Sequence, residues 1–418
     1  MINGKIKDIT SGIDISKSKL DVCIMDQTGI IAQEEFSNDM KGVKKVLELL
    51  TKNGCLDAAM ESTGPYWYGV YDYLSEHNIR VMLVNPAKAK SHMLNKSDRL
   101  DSASLATLLM INQLRPSFVP DTDLRKLRRL TRMRTWLVDM KTAIKNQTTA
   151  VVSTYSPELL SIFSDAFGKS GKELLDKIAS GEQITGLSEE KMKHLQNVVD
   201  NAFPNLDPWV IQFTSSMISN IESKIKELDS AIAALVQSMP KIKHYVDLML
   251  TIKGVGIDTA QAIAAEIADI DRFPESGKLV KYSGLNPTYE QSGSLKKYGK
   301  LEKAGPPGLR RALYQAAQTM AFYGPEEFRS YYLHVRERYG TKGYSIAIIS
   351  LARKLLRVIW AMLTDDSEFI DQKTALTESK RRRLANRAKK FEPEVKLPDL
   401  VIDLRNNYPE IFRMLSEL

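Results

Sequence analysis

One stretch restricts the fold more than any other: SGIDISKSKLDVCIMD, Ser11 to Asp26. An apolar run enters through Gly12, carries a single acid at Asp14, turns at SKSK and returns as a second apolar run. This pattern predicts a β-hairpin with a carboxylate on its first strand. Successive strand side chains point to opposite faces, so Asp14 faces away from Ile13 and Ile15. Strand interiors are depleted in aspartate. An acid there is either an exposed-face residue or part of a site. Whether such a hairpin handles a nucleotide phosphate or a nucleic-acid phosphate is left open by the hairpin alone.

The following segments supply the rest of a sheet. Ile30 to Phe36 reads as a third strand. Lys41 to Thr51 sets Val43, Val46, Leu47 and Leu50 at helical spacing. CLDAAME reads as a buried strand ending at Glu61, stopped by Gly64-Pro65. Tyr66 to Asn78 reads as an aromatic-rich helix, IRVMLVNP as an apolar strand, and SDRLDSASLATLLM as the opening of another helix. Three strands, helix, strand, helix, strand, helix describe an α/β domain with helices packed on one sheet, in the order of a ribonuclease-H-like domain.

The length of 418 residues allows two or three domains. The pattern divides them into 1–120 (α/β), 121–247 (a basic helix and a coiled-coil region), 248–364 (a helical domain) and 365–418 (a basic tail). The fold class expected is therefore α/β plus mainly α. A formal charge of +8 favours a polyanionic partner, nucleic acid rather than membrane. Only Cys23 and Cys55 are present, which excludes a disulfide scaffold and a cysteine-rich zinc site and suits a reducing cytoplasm. No signal peptide is read in MINGKIKDIT, and no stretch is apolar enough to span a bilayer.

From Leu124 the chain turns basic. Arg125, Lys126, Arg128, Arg129, Arg132 and Arg134 crowd over Leu130, Met133, Leu137, Met140 and Ile144. This predicts a long amphipathic helix whose outer face is either solvated or tracks phosphates. From Asp207 a second long helix carries Ile211, Ile218, Ile221, Ile225, Leu228, Ile232 and Leu235 on a heptad seam, packed between chains or back on the first helix. MLTIKGVGIDTAQAIAAEI resembles a helix-hairpin-helix, in which Gly254 and Gly256 let backbone N–H groups approach a phosphate. A plain tight turn needs the same residues. Further on, Ser292 and Ser294 flank Gly293 in an expected loop, with Lys296, Lys297, Arg310 and Arg311 close by in sequence. A serine there is ordinarily a turn former; the basic surroundings offer a way to hold a phosphodiester against its hydroxyl. ESKRRRLANRAKK in the tail is a polyanion contact or a solvated helix.

Four acids stand out by position: Asp14, Glu61, Asp98 and Asp101. Asp98 and Asp101 lie three apart at a helix start and can share a face. Each has an ordinary reading, as a helix cap, a first-turn acid or an exposed strand residue. Jointly they fit one edge of a sheet and its packing helix. Magnesium takes such hard oxygen ligands, and two ions so held activate an attacking oxygen and stabilise a leaving one.

The set GIDISKSKLDV, MESTGPYW, VNPAKAK, SDRLDSASLA, IKGVGIDTAQAIAAEI, LVKYSGLNP and SGS resembles the DEDD-type insertion-sequence transposases, the bridge-RNA-guided serine recombinases related to the pilin invertases. The likeness covers about residues 9–115 and 248–320. It implies an N-terminal domain like the Holliday-junction resolvase RuvC, with Asp14, Glu61, Asp98 and Asp101 holding magnesium, two ions, with manganese as a substitute. It implies a transposase domain over 248–364 with a nucleophilic serine. Where the family has Ser-Ser-Gly this chain has Gln291-Ser292-Gly293, so Ser292 takes the second serine's place and Ser294 is the fallback. Ser102 stands where the family commonly has alanine. The implied reaction is cutting and rejoining of donor and target DNA by serine transesterification, guided by a structured RNA, in a dimer or tetramer, in a cytoplasmic, nucleoid-associated protein. Three other readings compete: a metal-only structure-specific nuclease of Holliday-junction type, an actin-like kinase, which lacks its second phosphate hairpin here, and a non-catalytic nucleic-acid scaffold.

Overall fold

The computed structural model describes residues 7–62, 64–85, 101–155, 158, 160, 166–180, 182, 188–200, 208–292, 295–340, 343–369 and 374–390. Asp98 and Ser294 lie outside the described residues. The chain divides into two compact units, Met1–Pro120 and Asp121–Leu418.

In the first unit, β1 (Ile9–Ile15), β2 (Lys19–Asp26) and β3 (Gly29–Ser37) form an antiparallel meander. Ser16 and Lys19 close the first turn by bonding each other's backbone and hydroxyl groups. α1 (Met40–Lys52) starts under the cap of Asp39, whose side chain accepts from the Gly42 N–H. β4 (Asp57–Glu61) then joins β1 in parallel, α2 (Tyr68–Glu76) follows, and β5 (Arg80–Val84) joins β4 in parallel. The sheet order is β3-β2-β1-β4-β5, that of a ribonuclease-H-like domain.

The period-two pattern sorts this sheet into two faces. Ile13, Ile15, Leu20, Val22, Ile24, Ala58 and Met60 pack with Val43, Val46 and Leu50 of α1 and Val70 and Leu74 of α2. On the other face lies α3 (Ser102–Met110), whose Leu105, Leu108 and Leu109 cover Ala59 and Val84. Gly12 lets α3 approach, because a Cβ there would stand 1.9 Å from the Ser102 carbonyl oxygen. The expected start of this helix needs correcting. It begins after Asp101, whose carboxylate caps it by accepting from the Ser104 N–H at 2.7 Å.

The second unit is mainly helical. α4 (Thr122–Tyr155) is the basic helix, followed by α5 (Lys169–Ser180), α6 (Glu189–Asp200) and α7 (Pro208–Gln237). Arg134 meets Asp229 at 2.5 Å and Lys141 meets Glu222 at 3.5 Å, so α4 and α7 run antiparallel. The heptad seam of α7 is buried at Ile211, Ile218, Ile221, Ile225, Leu228 and Ile232. Of these, Leu228 and Ile232 share a core with Leu124, Leu127 and Leu130 of α4, within one chain.

α8 (Pro240–Leu250) and α9 (Ile257–Ile267) are joined through Gly254, held at φ +98°. Glycine is the residue that adopts this conformation without strain, and a Cβ there would lie 2.7 Å from Cγ of Met320. α10 (Ser276–Ser283) leads to a two-stranded hairpin, β6 (Pro287–Ser292) and β7 (Leu295–Leu301). α11 (Pro307–Tyr323), α12 (Glu326–Tyr339), α13 (Gly343–Thr364) and α14 (Thr374–Lys389) complete the unit. One core holds residues of α4, α7, α8, α9, α11, α13 and α14, from Leu124 to Leu384. Among the described residues no helix is long and apolar enough to cross a membrane.

Candidate active site

The sheet register brings the first two acids together. Ile13 of β1 lies opposite Met60 of the parallel strand β4. One residue further on stand Asp14 and Glu61, each at the end region of its strand. In a parallel pair, residues at one level share a face, and here it is the face that α3 covers. Thr10, on the same face of β1, donates from its hydroxyl to the Ala106 carbonyl of α3 at 3.0 Å. Asp101 caps the start of α3, over the same end of β1 where Ser102 crosses Gly12. The structure therefore assembles Asp14, Glu61 and Asp101 on one side of one sheet.

A fourth carboxylate on this face escaped the sequence reading. Asp21 of β2 sits directly across from Asp14 in the hairpin register. Its Oδ1 accepts a 2.5 Å bond from the Ser102 hydroxyl, and Ser102 is fully buried. The signal was present: a hairpin closed by Ser16 and Lys19 pairs Ile15 with Leu20, and so Asp14 with Asp21. The field of this cluster is felt at Cys23, the next residue of β2 on the same face. Burial pushes its thiol above the ordinary value, and the negative charges of Asp21 and Asp101 push it further.

The donor set is carboxylate only, which suits a hard divalent cation and not zinc. Among the described residues, no three acidic, histidine or cysteine side chains converge closely enough to hold an ion. Asp98, the remaining expected ligand, is outside them. The chemistry of Asp14, Glu61 and Asp101 fits a divalent metal, and these are the residues that would hold it.

The second unit carries the expected serine. Ser292 is the last residue of β6 and pairs with Leu295 of β7, so a hairpin strand end replaces the loop expected there. Lys296 and Lys297 lie on β7, opposite Gln291 and Glu290. A two-residue Gly-Ser segment between alternating runs is a hairpin signal that the sequence reading passed over.

The basic helix departs from its expected role. Arg128 donates to the carbonyls of Ala265 and Glu266 at 2.7 and 2.9 Å, at the end of α9. Arg132 grips the buried Glu266 carboxylate with two bonds of 2.8 and 3.0 Å. Arg134 bridges Asp229 and Asp258. Arg125 is buried and bonds Thr122. These four do not form the continuous outer face that the sequence suggested, because three of them pair with acids or carbonyls of α7 and α9 and the fourth is turned into the unit. Arg129 is exposed and Lys126 half-buried. Arg310 bonds the carbonyls of Ser283 and Gly305, and Arg311 forks onto Asp139. Gly256 caps α9 without a side-chain bond.

Comparison with known proteins decides the family. Residues 11–157 match the DEDD transposase family of IS110 type. Residues 246–333 match the transposase family of IS116, IS110 and IS902. Together the two matches span more than half of the chain. The chain belongs to the IS110-type insertion-sequence transposases. It is 25% identical over 370 residues to the pilin gene-inverting protein of Moraxella bovis, covering 86% of this chain and 96% of the relative. It is 26% identical over 363 residues to the transposase for insertion sequence element IS1111A of Coxiella burnetii, covering 86% and 91%. The first match of this transposase takes in Asp14, Asp21, Glu61 and Asp101, and the second takes in Ser292. The family is one of DNA-recombining enzymes, and its DEDD domain points to a divalent metal.

Proposed function

We propose that this insertion-sequence transposase cuts and rejoins DNA strands by serine transesterification, with magnesium on Asp14, Glu61, Asp98 and Asp101 and with Ser292 as nucleophile. The observation that carries the reading is the side-by-side placement of Asp14 and Glu61 at the ends of parallel strands, beneath a helix capped by Asp101. The Ser292 oxygen attacks a DNA phosphodiester, a serine Oγ–P bond forms, and a P–O bond to the deoxyribose breaks. The displaced sugar oxygen takes up a proton. In the second half of the reaction another strand's hydroxyl attacks the phosphoserine and restores the serine. When bound, the divalent ions neutralise charge on the phosphate and lower the pKa of an oxygen bonded to them. The carboxylates orient those ions and accept hydrogen bonds, and they supply no covalent step.

The relatives' names support DNA as donor and target. We extend the family resemblance to a structured guide RNA, whose base pairing would select sequence while the protein holds backbone, and to a homo-oligomer, a dimer or tetramer. Exposed Arg129, half-buried Lys126, and Lys296 and Lys297 on the hairpin are the cations we assign to nucleic acid. Gly254 and Gly256 in the α8–α9 connection are assigned to a backbone phosphate.

The test is a denaturing gel of protein incubated with end-labelled donor DNA and the element's RNA. The wild type is expected to give a covalent protein–DNA band that is sensitive to protease, and Ser292→Ala to give none. Cleavage by Ser292→Ala with no adduct from the wild type would leave a metal-only nuclease. An adduct lost only in Ser294→Ala would move the nucleophile to that serine.

A further inference from the structure

We infer that a cavity in the second unit is a docking subsite for one backbone phosphate of a nucleic acid. The identity of the polyanion rests on the transposase reading; the preference for an anion rests on the cavity itself. The cavity has a volume of about 180 Å³ and lies among α4, α7, α9 and α11. At about 30 Å³ per water it admits a phosphate group with some of its hydration.

Its floor carries an unmet donor. Gln261 is 1% exposed and lines the cavity, and its side-chain nitrogen has no hydrogen-bond partner. A buried donor without an acceptor is destabilising, so the acceptor must come from outside the protein. Water is the ordinary candidate, and two features favour an anion over it. First, two helices open toward the cavity. α9 and α11 begin at Gly256 and Pro306, neither with a side-chain cap, and their first-turn residues Thr259 and Gly308 line it. First-turn N–H groups lack an intrahelical acceptor, and each N-terminus carries partial positive charge. Second, the surrounding charges do not cancel. Arg128, Arg132, Arg134 and Arg387 pair with Glu266, Asp229 and Asp258, four cations against three anions. Arg132, with 51% of its side chain exposed, and exposed Gln315 leave the cavity open to solvent.

The sequence reading reached the arginines but not this arrangement. It expected an outer stripe tracking many phosphates. The structure offers instead a recessed point for one phosphate, formed where the basic helix meets two helix starts. Gln261 is the discriminating residue, because it is uncharged and no other role in the unit occupies its amide nitrogen.

The experiment uses the full chain and two probes. Inorganic phosphate, compared with chloride at equal ionic strength, is expected to raise the melting temperature of the wild type in a concentration-dependent way. Gln261→Glu places a negative charge in the cavity and is expected to abolish that rise. It is also expected to lower affinity for a short DNA or RNA duplex by about tenfold or more, the size of a lost bond to a charged group. Gln261→Met, which keeps the length and removes the donor, is the second variant should the glutamate fail to fold; it is expected to show the same losses in weaker form. Equal stabilisation of wild type and both variants by phosphate, with duplex affinity unchanged, overturns the site. Loss of the phosphate effect with unchanged duplex affinity also overturns the proposal, since the cavity would then serve free phosphate. The function reading fails separately: if the wild type forms no adduct and exchanges no strands while the Gln261 results hold, the phosphate subsite stands without the transesterification.

Discussion

Gly12 shows how one missing side chain can place a site. A Cβ there would meet the Ser102 carbonyl oxygen at 1.9 Å and the Ala106 nitrogen at 2.6 Å, both backbone atoms of α3 that cannot rotate away. Gly12→Ala must lift the start of α3, and with it Asp101, from the strand that carries Asp14. We expect a loss of about 2–3 kcal/mol in stability of the first unit, read from the urea midpoint, together with loss of strand processing. Asp57 makes a different local demand. It is buried at the start of β4, which works against its charge, but hydrogen bonds from Arg80 and Lys7 outweigh that and hold its carboxyl below the usual range. A depressed folded pKa stabilises above the unfolded value of about 4, and the contribution is lost as pH falls through the folded value. The first unit is therefore expected to weaken below about pH 4, and Asp57→Asn to flatten that part of the stability profile. With Arg80 67% exposed, the pair's worth is toward about 1 kcal/mol. At this scale the sequence was legible for Asp14, whose flanking isoleucines set its face, and blind to Asp21. Asp21 looks like an ordinary hairpin residue until the register puts it opposite Asp14. The cap at Asp101 was misread for a physical reason: Asp98 and Asp101 are both good caps, and only the docking of Ser102 on Gly12 selects between them.

At the scale of elements, periodicity was a sound guide and charge was not. The strand and helix order of the first unit follows from apolar spacing, since each element has one buried face. The seam of α7 was equally plain, but a seam does not say what fills it; α4 does, within the chain. The basic residues of α4 carried no mark distinguishing a solvated arginine from one paired with α7 or α9, because their acidic partners lie roughly 95 to 138 residues away in sequence. α14 makes the same point. Its basic run was readable as a polyanion contact or a solvated helix, yet Leu384 is buried and Lys380 donates to the Leu250 and Ile252 carbonyls at 2.9 and 3.2 Å. Those carbonyls end α8, where a cation is favoured. Burial holds the Lys380 ammonium below its ordinary pKa, so the two bonds also offset its desolvation. Arg387 adds pairs to Asp258 and Asp229. Lys380→Met is expected to release α14 at a cost of about 1–2 kcal/mol. The measurement is limited trypsin digestion: earlier cleavage around Arg381 to Arg383 in the variant, with the helical signal of the rest kept, is the expected result.

For the whole molecule, charge and chemistry belong to different residues, and this makes them separable. The chain's formal charge is +8, while the candidate metal ligands are all acids. Replacing one of them with its amide changes the formal charge from +8 to +9. Asp14→Asn and Glu61→Gln should therefore leave nucleic-acid affinity equal or slightly higher at fixed salt, because phosphate neutralisation by cations dominates binding. Strand processing should behave in the opposite way. Even groups that only support metal ligands cost about 10- to 100-fold when removed, so loss of a ligand should cost at least about a hundredfold. The pair of measurements, duplex affinity by titration and adduct formation by gel on the same preparations, separates the readings that the sequence left in competition. A nucleic-acid scaffold keeps both properties in both variants. A metal-dependent recombinase keeps affinity and loses the adduct. A variant that loses affinity as well would mean that Asp14 or Glu61 holds the sheet together, and the side-by-side placement at the ends of β1 and β4 would then be structural. That last outcome has an internal check, since the apolar core beneath the other face, from Ile13 to Met60, should keep the first unit folded through an isosteric change on the α3 side.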